Sequence, residues 1–415
     1  MGMFWLEEKM AMSVRLHQMG APEYLKASWP VRYGLYHEIK TRAYRFQFSP
    51  EGVVRFIQGC PGTWHNHSDW FKRTPGGDWV YYSSGGYNGA ASALGEHYIP
   101  VFAYGSNGAL GERVFPSAKL EEALEALDKV LRPGGQQDDE AAFLETARTR
   151  NTPEALQRLA KTFHGITHGV QNVLPPDSRH VDYDVLPVRL VQGCLYRCRF
   201  CGVKEQKPFG VEPEEAVKGQ VEQLCRFFAG DLKNLGGVFL GGHDALAAGA
   251  STVLRAASWC EPLVAARTLM GKPWLFLFAS PHSLLSVDGA MWNELSQLPW
   301  KVQINMGVES LDSETLAYLG RPTPLPLLKE AIAKADAIQK AGTIGLSINM
   351  VLGENLPPGH AESLRAFAST RRATDAPLYL SPLKGETRRK PIMDQLVQLK
   401  RMSKAPVHLY LLQRL

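Results

Sequence analysis

The stretch Val191-Gln-Gly-Cys194-Leu-Tyr-Arg-Cys198-Arg-Phe200-Cys201-Gly202 closes an apolar, strand-like run over 184–192. Three cysteines fall within eight residues, at spacings of four and three. Three thiolates this close can wrap one small inorganic centre. A structural zinc site usually takes four ligands, in paired Cys-x-x-Cys or Cys/His sets. No second pair lies nearby, and the nearest downstream histidine is His243. Three thiolates without a fourth fit a [4Fe-4S] cluster that leaves one iron open to an outside ligand. On these residues alone a zinc or ferredoxin-like site stays open.

Strand, then functional loop, then helix is the repeating unit of a parallel α/β fold. The pattern recurs downstream, with apolar runs at 237–242, 274–280, 301–309, 343–352, 378–383 and 407–412. Helical segments lie between them, and apolar residues at helical spacing over 324–341 end at Gly342, a C-cap residue. Two strands alternate. Val302, Ile304, Met306 and Val308 share one face, and Gln303, Asn305, Gly307 and Glu309 share the other. Leu346, Ile348 and Met350 likewise alternate with Gly345, Ser347 and Asn349. A face covered by helices must be apolar, whereas a polar opposite face looks into something wet or ligand-filled. A fully packed barrel interior would favour branched apolar residues instead. The expectation is a barrel enclosing a cavity.

The CxxxCxxC spacing, with the aromatic Phe200 directly before the last cysteine, resembles the signature of the radical S-adenosylmethionine (SAM) superfamily. The resemblance covers about 184 to the C-terminus and implies a partial (β/α)6 barrel. It implies a cluster held by Cys194, Cys198 and Cys201, whose open iron chelates SAM and cleaves it reductively to a 5′-deoxyadenosyl radical. Phe200 would lie by the adenine. Gly241-Gly242-His243-Asp244 resembles the family's GGE motif, whose backbone receives the SAM amino group; the acid is replaced here by His243, leaving the backbone or Asp244 to serve. Gly307-Val-Glu309-Ser310 resembles a further SAM-contacting segment, so Glu309 would touch SAM or substrate, and Asn349 and Ser280 join the candidate cofactor ligands. Arg321 would pair with a carboxylate or stand at the surface. A reducing partner such as flavodoxin or ferredoxin is implied. Cys225 and Cys260 read as small helical core residues. No later cysteine cluster marks an auxiliary centre, and no DxHxxG motif for base-off cobalamin is present.

The first 180 residues carry no recognised family pattern and are expected to form a separate α+β domain, 1–180, that caps the barrel of 181–415 or presents its substrate. Alternating, aromatic-rich runs over 43–105 predict short strands with tight turns. Leu120, Leu124, Leu127 and Leu131 define one face of an amphipathic helix, and Thr152-Pro153-Glu154 starts another. His65, His67 and Asp69 have metal-ligand types at close spacing, with His97 a further candidate, although a hydrogen-bonded turn is the more ordinary reading of such a stretch. The glycine-rich loop 83–89 suits a backbone-first approach to a ligand or a plain hairpin. Tyr104-Gly105-Ser106-Asn107 resembles the anion-cradling loop of γ-glutamyl cyclotransferases.

With 415 residues, 45% hydrophobic and 21% charged, the chain reads as a globular protein of two or three units. No apolar run of about 18 residues predicts a transmembrane helix. The start, with Glu7, Glu8 and Lys9 after a short apolar stretch, does not read as a secretory leader, so a cytoplasmic location is expected. A net charge of +5 is mild for this length. It is uneven, since residues 371–404 hold nine basic residues against three acids, a solvated face or a phosphate-binding one. The expected activity is hydrogen abstraction from a small polar or phosphorylated substrate. RNA modification and a non-catalytic iron-sulfur or zinc protein are the alternatives.

Overall fold

A computed structural model of the chain describes residues 12–22, 31–64, 69–82, 102–103, 116–132, 139–169, 173–181, 183–201, 207–265, 271–321, 323–383 and 389–410. The first sheet is an antiparallel meander of β1 (Ser13–Met19), β2 (Leu35–Lys40), β3 (Tyr44–Phe48), β4 (Val54–Gly59), β5 (Trp70–Arg73), β6 (Trp79–Tyr82) and β7 (Phe102–Ala103), paired in chain order. One face buries Ile39, Phe46, Phe48, Ile57 and Phe71 under α1 (Ser117–Val130) and α2 (Asp139–Arg150). The predicted leucine stripe of α1 does this, with Leu120, Leu127 and Leu131 buried. The opposite face sends Phe56, Trp70 and Val80 into the core of the second sheet. The helix α3 (Pro153–Ile166) starts as expected, with the Thr152 hydroxyl accepting from the Ala155 amide at 3.2 Å and Pro153 in the first turn.

The second sheet is parallel and singly wound. Its order is β8 (Val185–Arg189), β11 (Gly237–Gly241), β12 (Trp274–Ala279), β13 (Lys301–Glu309), β14 (Gly345–Leu352), β15 (Leu378–Pro382) and β16 (Val407–Leu409), each beside the next in sequence. The connections carry α4 (Glu214–Phe228), α5 (Ala250–Trp259), α6 (Pro281–Ser286), α7 (Gly289–Gln297), α8 (Ser313–Tyr318), α9 (Leu325–Ala341), α10 (Pro358–Thr370) and α11 (Arg389–Met402). The run over 184–192 is not one strand. It breaks at Leu190, and β9 (Val191–Gln192) pairs antiparallel with β10 (Gly210–Val211), so a short ribbon brackets the cysteine loop. Gly342 closes α9 at φ 75°, the left-handed C-cap that its sequence predicts.

The alternation in β13 holds. Val302, Ile304, Met306 and Val308 are buried in the main core, while Asn305, Gly307 and Glu309 face a cavity. Residues 174–180 lie across the early part of that same sheet face. Asp177 accepts from Ser347 Oγ at 2.6 Å and from Tyr379 Oη at 3.1 Å, and His180 stacks on Trp274 with ring centres 4.4 Å apart. Phe163, Ile166 and Leu174 also join the parallel-sheet core, so the packing does not divide at residue 180.

The two sheets meet at a buried ion network. Asp184, just before β8, accepts from Lys72 Nζ at 2.8 Å and Arg55 Nη2 at 3.1 Å, and Arg55 reaches Asp231 at 3.6 Å. Asn234 anchors the start of β2 through Leu35, amide and carbonyl both. Asp184 and Asn234 precede β8 and β11, so the antiparallel sheet abuts the beginnings of these strands. Arg371 leaves the predicted basic face. It is 4% exposed and forks onto Asp336 at 2.6 and 2.7 Å. Among the described residues no helix is long and apolar enough to cross a membrane.

Candidate functional site

A cavity of about 300 Å³ opens where the parallel strands end. Its walls include Arg189 ending β8, Gly241 ending β11, Ala279 ending β12, Glu309 ending β13 and Ser381 near the end of β15. Sites gather at this end of parallel α/β sheets because the loops that follow the strands are free to vary. All nine residues singled out for cluster or cofactor binding line this one cavity: Cys194, Cys198, Phe200, Cys201, Gly241, Gly242, Ser280, Glu309 and Asn349.

The cysteine loop alternates from Cys194 to Phe200 and turns at 199–200, where the Cys201 amide approaches the Cys198 carbonyl at 3.5 Å. Cys194, Tyr196, Cys198 and Phe200 line the cavity, while Leu195, Arg197 and Arg199 are exposed. Arg199 donates its amide to the Leu319 carbonyl at 2.8 Å, tying the loop to the end of α8. Burial pushes the Cys198 thiol up to about 11, against the pull of the Arg321 guanidinium. Burial likewise raises Cys194, its Sγ receiving the Tyr196 amide at 3.4 Å. Among the described residues no three Cys, His, Asp or Glu side chains are gathered closely enough to hold a metal ion as they stand. The donor set still suits an iron-sulfur centre in kind, three thiols on one loop facing one cavity, but the loop must draw them together to share it.

Gly242 carries φ 114°, and a Cβ there would lie 2.6 Å from the Val191 carbonyl oxygen. Only glycine fits, and its backbone faces the cavity bare. Next to it, Asp244 is 4% exposed; its Oδ1 accepts from Ser283 Oγ at 2.7 Å, and its Oδ2 has no partner although it is buried against the cavity. A buried, unsatisfied carboxylate oxygen calls for a donor or a cation. Ser280 has a structural task, since its hydroxyl caps α6 by accepting from the Ser283 amide at 3.1 Å in a capping box.

Glu309 is 4% exposed and sits at φ 70°, a strained conformation for a residue with a Cβ. Arg321 donates to Glu309 Oε1 at 3.2 Å and to the Gly307 carbonyl at 2.7 Å, and lies 4.0 Å from Cys198 Sγ. Its guanidinium covers the Tyr196 ring at 4.4 Å. Arg321 is therefore a buried ion-pair partner and not a surface residue. Burial raises the Glu309 carboxyl, while Arg321 and the Asn349 amide, 3.3 Å from Oε2, pull it back. Asn349 in turn accepts from Ser381 Oγ at 2.7 Å, so its side chain is held from both ends.

Several wall residues escaped sequence reading. Tyr196 lies inside the cysteine motif and bonds His282 Nδ1 at 2.8 Å. Thr167, His168, Gly169, Val173 and Tyr410 reach the cavity from outside the parallel strands, and no local pattern marks them. His168 holds φ 60°. The proposed metal ligands His65, His67 and His97 lie outside the described residues, as do 83–89, 104–107 and residues 384–388 of the basic stretch. Asp69 Oδ2 accepts from Tyr81 Oη and pairs with Lys119 at 3.2 Å, while its buried Oδ1 makes no hydrogen bond.

No protein-family model matches the chain, and no curated protein matches it in sequence. Among solved structures it is similar to the radical SAM methyltransferase TsrM from Kitasatospora setae, with cobalamin and a [4Fe-4S] cluster bound. That likeness has 16% identity over 48% of this chain and 36% of that one, at a TM-score of 0.36. A radical SAM methyltransferase from Sphaerobacter thermophilus matches at 15% identity over 55% of this chain and 65% of that one, TM-score 0.40. Methylornithine synthase, PylB, matches at 13% identity over 68% and 85%, TM-score 0.35. The chain spans 36%, 38% and 31% of the first three structures it resembles.

Proposed function

We propose that the protein is a radical SAM enzyme whose parallel sheet forms the partial (β/α) barrel of that family, acting on a small molecule. The observation that carries this reading is the convergence of the three-thiol loop, the bare Gly242 backbone and the orphaned Asp244 oxygen on one cavity at the strand ends. Cys194, Cys198 and Cys201 would hold a [4Fe-4S] cluster. With SAM bound beside it, such a cluster would supply the single electron for reductive SAM cleavage and so the means to abstract hydrogen from a substrate.

The chain's own residues then divide the binding. Gly242 lets a ligand approach the backbone, and Asp244 Oδ2 stands ready for an ammonium, in the place of the acid that His243 replaces. Asn349, aimed by Ser381 and Glu309, offers a fixed amide. Arg321 neutralises Glu309 and keeps a positive charge beside Cys198. The antiparallel sheet abuts the opposite end of strands β8 and β11, and among the described residues of the N-terminal half Thr167, His168, Gly169 and Val173 reach the cavity. That half supplies one wall and a buttress. Exclusion of solvent is the remaining task, because a primary carbon radical reacts with whatever is near.

The test is anaerobic reconstitution with iron and sulfide, reduction by dithionite, and addition of SAM, with 5′-deoxyadenosine measured by mass spectrometry. The wild type forms it and Cys198→Ala, with circular dichroism unchanged, does not. Equal yields from both proteins refute the assignment.

A further inference from the structure

A second cavity, of about 70 Å³, lies where the two sheets meet, by the beginnings of β8 and β11. The turns after β3 and β5 line one side, and the end of α4 with the segment after it lines the other. Three arginines share its wall: Arg55 on β4, Arg73 ending β5 and Arg150 ending α2. Three acids share it too, but each is engaged. Asp184 receives Lys72 and Arg55, Asp231 Oδ1 accepts from Asn234 at 2.7 Å, and Glu51 Oε1 accepts from the Gly230 amide at 3.0 Å. The arginines are less well served. Arg55 Nη1 is buried without a hydrogen bond, 3.6 Å from Asp231. Arg73 donates Nη2 to the Leu156 carbonyl at 3.1 Å, and its buried Nε has no acceptor. Neither Arg73 nor Arg150 forms an ion pair among the described residues. Burial lowers the Arg73 pKa to about 10, with Asp78 opposing from beyond ion-pair distance. Two hydroxyls on the same wall remain able to donate, because Ser49 Oγ accepts from the Val53 amide and Thr74 Oγ1 from the Asp78 amide. Buried guanidinium N–H groups without acceptors call for one.

We propose that this cavity binds a small tetrahedral oxyanion, the phosphoryl group of inorganic phosphate or of a phosphate ester. Guanidinium forks match such oxygens, and forks already stripped of water lose little more when the anion enters. Donors arrive from β4, from two turns and from the end of α2, which suits four oxygens in a tetrahedron better than a planar carboxylate. Of the acids on the wall only Glu51 lacks a cation, and the two unpaired arginines outweigh it. The space exceeds that of one water and takes a phosphoryl head. Arg150 is exposed, so the cavity reaches solvent there and the remainder of an ester stays outside. The bound anion ties the turns after β3 and β5 to the end of α4, across the joint between the sheets. The site lies at the opposite end of the parallel strands from the thiol loop and does not depend on the cluster reading.

The experiment is thermal unfolding of the intact protein, followed by circular dichroism in sodium phosphate against sodium chloride of equal ionic strength. The wild type should show a saturable rise in Tm of about 3 °C. Arg73→Met should show none. Without phosphate that variant should be at least as stable as the wild type, because it loses a buried cation that has no counter-charge, whereas a purely structural Arg73 would leave it weaker. Arg150→Gln, changed at the exposed rim, should need about fivefold more phosphate for half of the rise, and it decides the matter if Arg73→Met fails to fold. Glycerol phosphate that reproduces the rise assigns the site to the phosphoryl end of a larger molecule, and a rise with inorganic phosphate alone assigns it to the free ion. No saturable rise in the wild type, or the same rise in the wild type and both variants, is a general salt effect and overturns the site. A larger rise with malonate than with phosphate overturns the tetrahedral assignment. Each of these failures leaves the cluster reading standing, and a wild type that holds no cluster leaves this site standing.

Discussion

Gly242 and the Glu309–Arg321 pair carry the sharpest local constraints on the cavity. Gly242→Ala puts a methyl group against Val191 and forces an L side chain to φ 114°. A loss of about 1–3 kcal/mol in urea unfolding is expected, with SAM binding by equilibrium dialysis weakened beyond that loss because the bare backbone is covered. An unchanged dissociation constant would remove Gly242 from the binding surface. Arg321→Met strands Glu309 at the cavity wall without its cation. Breaking a buried pair from one side costs about 3–5 kcal/mol, whereas replacing both partners costs far less. Glu309→Gln/Arg321→Met should therefore be more stable than Arg321→Met alone, a coupling that a double-mutant cycle reads directly. Additive losses would mean that the pair is held by something other than its charge.

The turn after β13 owes its shape to α10. His360, on that helix and 3% exposed, lies 2.9 Å from Ser310 Oγ through Nδ1 and 3.1 Å from the Val351 carbonyl through Nε2. A neutral ring satisfies both, with Nε2 donating to Val351 and Nδ1 accepting from Ser310. This clamps the residue after strained Glu309 to β14. Burial lowers the His360 pKa, with the Val351 carbonyl and Asp312 opposing. The sign follows. Below the ordinary histidine value, about 6.5, the unfolded chain takes up a proton that the folded chain refuses, so stability falls on acidification and is unaffected at higher pH. His37, also lowered chiefly by burial, acts in the same sense. Chemical denaturation at pH 7.5 and 5.5 should show the wild type losing more stability than His360→Gln, already weaker at neutral pH. Parallel losses would exonerate His360.

The two sheets behave as one cooperative body if the network around Asp184 does what its burial implies. Lys72 is 1% exposed and Arg55 8%, and both rely on the Asp184 carboxylate, with Asp231 assisting. Asp184→Asn leaves two buried cations short of a counter-charge, and a loss of about 3 kcal/mol or more is expected. Because the network abuts the strand beginnings and the cavity lies at their ends, the variant that stays folded should bind SAM as the wild type does. Weakened binding at a temperature where the fold is intact would mean that the antiparallel sheet sets the cavity's shape.

Local chemistry was legible along the chain because it depends on near neighbours. The cysteine spacing, the two-residue alternation of β13 and β14, the leucine stripe of α1, the Thr152 cap and the Gly342 stop each rest on a few adjacent residues and survived folding intact. The nine candidate ligands came from the ends of β11, β12 and β13, the interior of β14 and one loop, and they reach one cavity because a singly wound parallel sheet sets these strands side by side. Contacts between distant segments had no such local trace. Arg321 and Arg371 look alike as surface cations, and only the folded chain places Glu309 and Asp336 beside them. Thr167 and His168 enter the cavity because α3 packs on the parallel-sheet core, and Asp177 crosses that sheet face by bonding Ser347, 170 residues away. Short-range patterning writes elements and motifs into the sequence; the pairing of buried charges and the far walls of the cavity arise only when desolvation makes each group find a partner.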